Sequence, residues 1–432
     1  MKNLRDALFD DRVQGAAWLT AASLGSAVVA IIAVPVLTGI FTPDDFGALA
    51  LVSAIAATLG TVVSGRYEMV CVVAPHDETG NAIARQGAIV AAGLSTVAAV
   101  LLMVASLVVL LGAGGFGKPP VVVLGIPLLV ALSGTAAAQA LYDTRLGNYG
   151  VLSALTIARA LGVVIAQVTW GLMDPSLAAL IVPTILFSGV PLVRLIWLIR
   201  QNSSPKHLSY RAFLNEYRKY PIYQVPAAIA NTLSTNITIF ALGAAYGVNS
   251  VGIYSIATRV TGAPSTIITG PVNTVYFREA ARLSANRKKS IQIYGGVVVG
   301  LLITGLLGFA TLVPLANTIA GLLGTEWSTA KIMILATIPM GLALFIAAPA
   351  NSALIAYGQQ SQLLAWRIGL VLAPPLLIVL GPAMGWSDSV AIGGASMALL
   401  TGTIGYLLYG LRIVRKGVPK DTLPETIQAE TN

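Results

Sequence analysis

The chain has 432 residues, of which 56% are hydrophobic and only 10% charged, and its mean hydropathy is +0.82. Such a composition belongs to a chain whose solvent is largely hydrocarbon. A formal net charge of +9 would suggest nucleic-acid binding in a soluble protein, but here the basic residues fall between apolar runs as topology signals, so nucleic acid is set aside.

Twelve apolar stretches are long enough to cross roughly 30 Å of hydrocarbon, which takes about 20 helical residues. They run over 15–41, 46–70, 86–113, 121–143, 149–173, 177–199, 222–247, 251–275, 291–316, 330–356, 362–384 and 389–411. The runs are too long for barrel strands and do not alternate with a period of two. An all-α polytopic membrane protein is therefore predicted. The first run shows no short apolar core followed by a small-residue cleavage site, so it is expected to remain as a span.

Taken connector by connector, the basic residues alternate in side. Lys2, Arg5 and Arg12 precede the first span; Arg66 and Arg85 lie between the second and third; Arg145 lies between the fourth and fifth. Arg194, Arg200, Lys206, Arg211, Arg218 and Lys219 surround the next connector on that side, followed by Arg278, Arg282, Arg287, Lys288 and Lys289, and at the end by Arg412, Arg415, Lys416 and Lys420. Only Lys118 and Lys331 occupy the opposite connectors. Positive residues stay inside, which predicts an inner-membrane protein with both termini in the cytoplasm. Trp18, Trp170, Trp197, Trp327, Trp366 and Trp386 all fall near span ends, where indole prefers the headgroup level. The only cysteine, Cys71, has no partner for a disulfide and reads as a small core filler.

The charged, Ser/Pro-containing connector at 200–220 separates six spans from six. This predicts an N-terminal lobe over 1–199, a C-terminal lobe over 221–417 and a cytoplasmic tail at 418–432, whose mixed polar composition reads as disordered. A faint repeat agrees. Asp44-Asp45-Phe46-Gly47-Ala48-Leu49-Ala50 opens the second span, and Asn249-Ser250-Val251-Gly252-Ile253-Tyr254-Ser255 opens the eighth. Both halves start inside, so the repeat would be parallel, about an axis along the membrane normal; chance similarity is the competing explanation. No outer connector is long enough to hold a catalytic domain.

Two arginines lie near mid-bilayer at 1.5 Å rise per residue, Arg159 in the fifth span and Arg259 in the eighth. A central arginine costs a few kcal/mol on insertion scales, so neither can face lipid. Both a structural role on backbone carbonyls and a substrate-facing role fit. Gln224, Asn231, Thr235 and Thr238 recur along one face of span seven, and Tyr254, Thr258, Thr261 and Ser265 along one face of span eight. A wet seam explains Gln224 and Asn231 better; helix packing explains the threonines as well. The carboxylates Glu68, Asp143 and Glu279 lie near cytoplasmic span ends and none at a span centre, which weakens proton or cation coupling and favours an anionic cargo. Prolines within spans, among them Pro35, Pro183, Pro191, Pro226, Pro264, Pro271, Pro339 and Pro349, predict kinks that serve packing or gating. His76 and His207 sit in connectors, and neither a metal-ligand spacing nor a phosphate loop is present, so no cofactor is called for.

The stretch Leu37-Thr38-Gly39-Ile40-Phe41-Thr42-Pro43-Asp44-Asp45-Phe46-Gly47, then Arg66-Tyr67-Glu68, then Gly252-Ile253-Tyr254-Ser255-Ile256-Ala257-Thr258-Arg259, resembles the polysaccharide-type (Wzx-like) flippases of the multidrug/oligosaccharidyl-lipid/polysaccharide exporter superfamily. The likeness covers most of the chain. Where relatives often carry a basic residue at the end of span one, this chain has Gly39, so no cation is carried over there. Arg66 matches a family position, but interfacial anchoring explains it equally well. The resemblance implies two six-helix lobes around a central cavity and an undecaprenyl-diphosphate-linked oligosaccharide as cargo, turned outward by alternating access for O-antigen or exopolysaccharide assembly. It also implies a polysaccharide polymerase and chain-length machinery as partners. Arg159, Arg259 and Arg66 would meet diphosphate, while Gln224, Asn231, Thr235, Tyr254 and Thr258 would offer hydrogen bonds to sugars. A small-molecule antiporter of the same superfamily is the first alternative, a membrane glycan polymerase or ligase the second, and a scaffold the third.

Overall fold

The computed structural model describes residues 11–75, 77–112, 120–201, 209–282 and 287–416. The tail expected at 418–432, the two histidines and Lys118 lie outside the described residues. Helices account for almost all that is described, with no strand among those residues. In chain order they are α1 (Asp11–Thr38), α2 (Pro43–Val63), the short α3 (Val70–Val73), α4 (Glu78–Gly112), α5 (Pro120–Arg145), α6 (Tyr149–Met173), α7 (Leu177–Ser188), α8 (Val190–Gln201) and α9 (Tyr210–Glu216). There follow α10 (Val225–Tyr246), α11 (Val248–Pro264), α12 (Gly270–Arg282), α13 (Arg287–Leu323), α14 (Ala330–Ile346), α15 (Ala348–Ala356), α16 (Gln360–Leu380) and α17 (Asp388–Lys416).

Among the described residues, eleven segments are long and apolar enough to cross a bilayer. The eighth expected span, 251–275, is not one helix and is missing from these eleven. After Pro264 the chain passes through a π-helical segment, Ser265–Thr269, before α12 begins at Gly270. Proline at 264 and again at 271 removes two amide donors within two turns, and the wider π winding is where such a deficit is absorbed. Elsewhere the termini follow simple chemistry. The turn before α2 closes with a capping box: the Asp45 amide donates to Thr42 Oγ1 at 3.3 Å, and the Thr42 amide donates back to Asp45 Oδ2 at 3.1 Å.

Apolar side chains face outward as well as inward. Leu101, Val108, Leu172, Leu307 and Leu408 are all exposed by well over half, as a lipid-facing surface requires. Trp18 and Trp197 are exposed as interfacial anchors should be, whereas Trp327, expected in the same role, is wholly buried in a 3-10 turn. Its ring fills core space, which a position read from the sequence alone does not distinguish from a headgroup anchor.

Contacts divide the chain into two compact units, Met1–Ile239 and Phe240–Asn432, with the division falling inside α10. In the first unit α5, the fourth span, packs against α2, α4 and the sixth span, α7 with α8; α6 packs on α7. In the second unit the tenth span, α14, packs against α11, α13 and the last span, α17, and α16 packs on α17. Second on fourth, third on fourth, fourth on sixth and fifth on sixth thus recur in both halves, as a parallel repeat requires.

Candidate functional site

Arg159 is the eleventh residue of the 25-residue helix α6, about 15 Å from its start. Its Nη2 donates to Ser188 Oγ at 2.7 Å. Ser188 is the last residue of α7, just before Gly189 interrupts the sixth span and Pro191 prevents the break from closing by an amide at that point. The Ser188 hydroxyl in turn donates to Thr184 O at 2.6 Å, and Thr184 Oγ1 donates to Leu180 O at 2.8 Å. Gln167 Nε2, two turns beyond Arg159, donates to Leu180 O at 2.9 Å and to Thr184 Oγ1 at 3.2 Å. A polar ladder therefore joins α6 to α7, with the guanidinium at one end.

That guanidinium borders a cavity of about 310 Å³ lined also by Ser53, Leu129, Ser133, Ala136, Thr184 and Ser188. No carboxylate lines it. Ser133, Thr184 and Ser188 give their hydroxyl protons to main-chain carbonyls, Ser133 Oγ donating to Val130 O at 2.8 Å, and the charged donors at the cavity are those of Arg159. Close backbone approach makes the room. A Cβ on Gly162 would collide with the Phe187 ring, and one on Gly60 with the Ser133 hydroxyl. A planar cation in a low-dielectric hollow without a counter-charge is suited chemically to an oxyanion.

Three other arginines of the first unit, Arg85, Arg145 and Arg194, hold structural contacts. Asp143, with no exposed surface, accepts from Arg194 Nη2 at 2.9 Å and Nε at 3.3 Å, from Asn148 Nδ2 at 2.9 Å and from Gln139 Nε2. Arg194 also lies 4.5 Å from the centre of the Trp197 ring. Arg145 gathers the carbonyls of Cys71, Ala74 and Pro75, and Arg85 Nε donates to Ile199 O at 3.0 Å. Residues of the basic connectors thus also tie the turns at that end of the unit. Cys71 is fully buried beside them, and burial, helped by the negative charge of Glu68, pushes its thiol up to about 12.

Arg66 stands apart from the Arg159 cavity. It holds a left-handed backbone, φ 60°, and its side chain, 26% exposed, reaches Glu68 at 3.4 Å. Glu68 is buried, and Arg66 Nε and Glu68 Oε2 have no hydrogen-bond partner. In the second unit Arg259 is half-buried on α11. Tyr254, one turn earlier, is buried and donates its hydroxyl to Met340 Sδ at 3.4 Å, and Thr258 Oγ1 donates to Tyr254 O at 2.9 Å. Gln224, Asn231 and Thr235 are exposed, Gln224 in the π turn Tyr220–Gln224 and the other two on α10. Their segment, Tyr220–Tyr246, has the lowest hydropathy of the eleven spans, 1.3. Of the expected residues, Arg159 is the one that lines the cavity described above. Its partners Gln167, Thr184 and Ser188 were missed, because single hydroxyls and amides in apolar runs carry no spacing that sets them apart from packing residues.

A family model described as polysaccharide biosynthesis protein matches residues 36–332. The chain belongs to that family. Comparison with curated proteins gives no match. Among solved structures, the lipid II flippase MurJ in an inward closed conformation aligns with TM-score 0.66 at 14% identity, over 96% of this chain and 90% of that one. An inward-facing multidrug resistance MATE family transporter of the MOP superfamily aligns with TM-score 0.63 at 14% identity, over 90% and 96%. A MOP superfamily transporter from Pyrococcus furiosus, with a binding pocket described as of reverse polarity, aligns with TM-score 0.51 at 15% identity, over 97% and 96%. At these identities the likeness establishes the fold. This member of the polysaccharide biosynthesis family is a multi-pass helical membrane protein with the architecture of MOP transporters.

Proposed function

We propose that the protein is a flippase that turns undecaprenyl-diphosphate-linked oligosaccharide repeat units from the cytoplasmic to the periplasmic leaflet, for O-antigen or exopolysaccharide assembly. In this reading it lies in the inner membrane with both termini in the cytoplasm, as its basic connectors favour. Two six-span lobes joined at 200–220 give access alternately to either side. A polymerase and its chain-length machinery take the product.

The observation that carries the proposal is the Arg159 guanidinium, bound only to Ser188 Oγ and bordering a cavity without a carboxylate. Phosphate oxygens supply the missing counter-charge, and charge-assisted bonds to them are about twice as strong as neutral ones. Arg259 and Arg66 are assigned to the same anion at other stages of its passage. Gln224, Asn231 and Thr235 are assigned to sugar hydroxyls, because polar side chains exposed on a span are costly against lipid and cheap against a hydrated cargo. Tyr254 and Thr258 serve the cargo only once α11 opens.

A deletion strain tests the step. Complete lipid-linked repeat units accumulating on the inner leaflet support it. Polymer made by the purified protein alone would instead mark a polymerase, and ion-dependent efflux of small cations an antiporter.

A further inference from the structure

The connector between the sixth and seventh spans carries a feature that cargo handling leaves unused. Helix α9 is fastened to the first unit along one side. Phe213 is wholly buried, its ring 5.8 Å from that of Tyr67 and 4.9 Å from that of Tyr217, which lies 6.1 Å from Tyr220. The other side is open. Tyr210 and Leu214, one helical turn apart, are 60% and 40% exposed, and Ile222 and Tyr223 just beyond are exposed as well. Arg211, Arg218 and Lys219 are exposed among them, against the single acid Glu216.

Exposed aromatic and aliphatic side chains interleaved with cations, on a short segment with a span on either side, suit a boundary that is apolar below and anionic above. A soluble acidic partner would leave Tyr210, Leu214, Ile222 and Tyr223 without a purpose. We propose that α9 and the turn after it form a binding surface for anionic phospholipid headgroups, with Arg211, Arg218 and Lys219 on the phosphates and Tyr210 and Leu214 seated at the acyl boundary. The surface stands independently of the cargo.

The test uses the full-length Tyr210→Cys protein, labelled with an environment-sensitive dye and reconstituted with 5-doxyl phosphatidylglycerol or 5-doxyl phosphatidylcholine. Quenching by the anionic lipid is expected to exceed that by the zwitterionic one several-fold at low salt. The preference should fall toward unity in 1 M salt, and by up to about fivefold per charge removed in R211Q, R218Q and K219Q combined. The salt titration needs no charge variant, and unchanged melting of the triple variant shows that it folds. Equal quenching by both lipids would overturn the headgroup assignment. Absence of quenching by either would show that this face does not sit at the lipid boundary, and would overturn the proposal altogether.

Discussion

At the scale of single residues, the chemistry turns on which polar groups are satisfied. Asp143 has donors from three side chains; Arg159 has one acceptor. Their substitutions are expected to act in opposite directions. Asp143→Ala leaves the half-buried Arg194 and the amides of Gln139 and Asn148 without their acceptor and should destabilise the protein by up to about 3 kcal/mol, while the paired change Asp143→Leu with Arg194→Met recovers most of that loss; melting of the two variants beside the parent in detergent checks both. Arg159→Met removes a cation that nothing balances, and the ligand-free protein is expected to gain up to about 3 kcal/mol. The same variant should weaken binding of a diphosphate-bearing lipid about 10- to 100-fold, since a hydrogen bond to a charged group contributes about 1.5–3 kcal/mol. Weakened stability together with unchanged binding would make Arg159 a structural residue. At Cys71, a thiol held up to about 12 stays protonated at pH 8, so maleimide should label it only after unfolding.

The elements show why some of this was legible in sequence and some was not. Eleven spans could be read because about 20 apolar residues in a row have few alternatives. The eighth could be read as a crossing but not as a break, because Pro264 and Pro271 in an apolar run are compatible with a simple kink, and only packing decides for a π segment. Arg159 was legible from its depth alone. The ladder of Gln167, Thr184 and Ser188 was not, since it depends on α6 meeting α7 at one rotation, and that meeting is set by Gly162 against Phe187. Gly162→Ala is therefore expected to cost about 1–3 kcal/mol by overpacking and to lower transport as well, by parting Ser188 from Arg159. Tyr254 shows what a stripe leaves open: it shares a face with Thr258, yet its ring lies in the core and its hydroxyl donates to Met340 Sδ.

Across the whole molecule, like neighbours recur in the two halves, and each half keeps its apolar residues on the outside as well as within. The orientation that the basic connectors favour can be checked with reporter fusions at both ends, which should both report the cytoplasm. If the cargo carries negative charge outward, flipping in vesicles should accelerate with an interior-negative potential, by up to about 2.3 kcal/mol per charge per 100 mV; indifference to voltage would exclude that driving force. The cavity beside Arg159 adds something about the return stroke. A doubly negative headgroup on one guanidinium makes the occupied site net negative, and its departure leaves the site net positive. On the proposed function, the resting field would then repel the loaded carrier toward the outside and draw the vacated one back, so a single unmatched side chain would let one voltage favour both halves of the cycle.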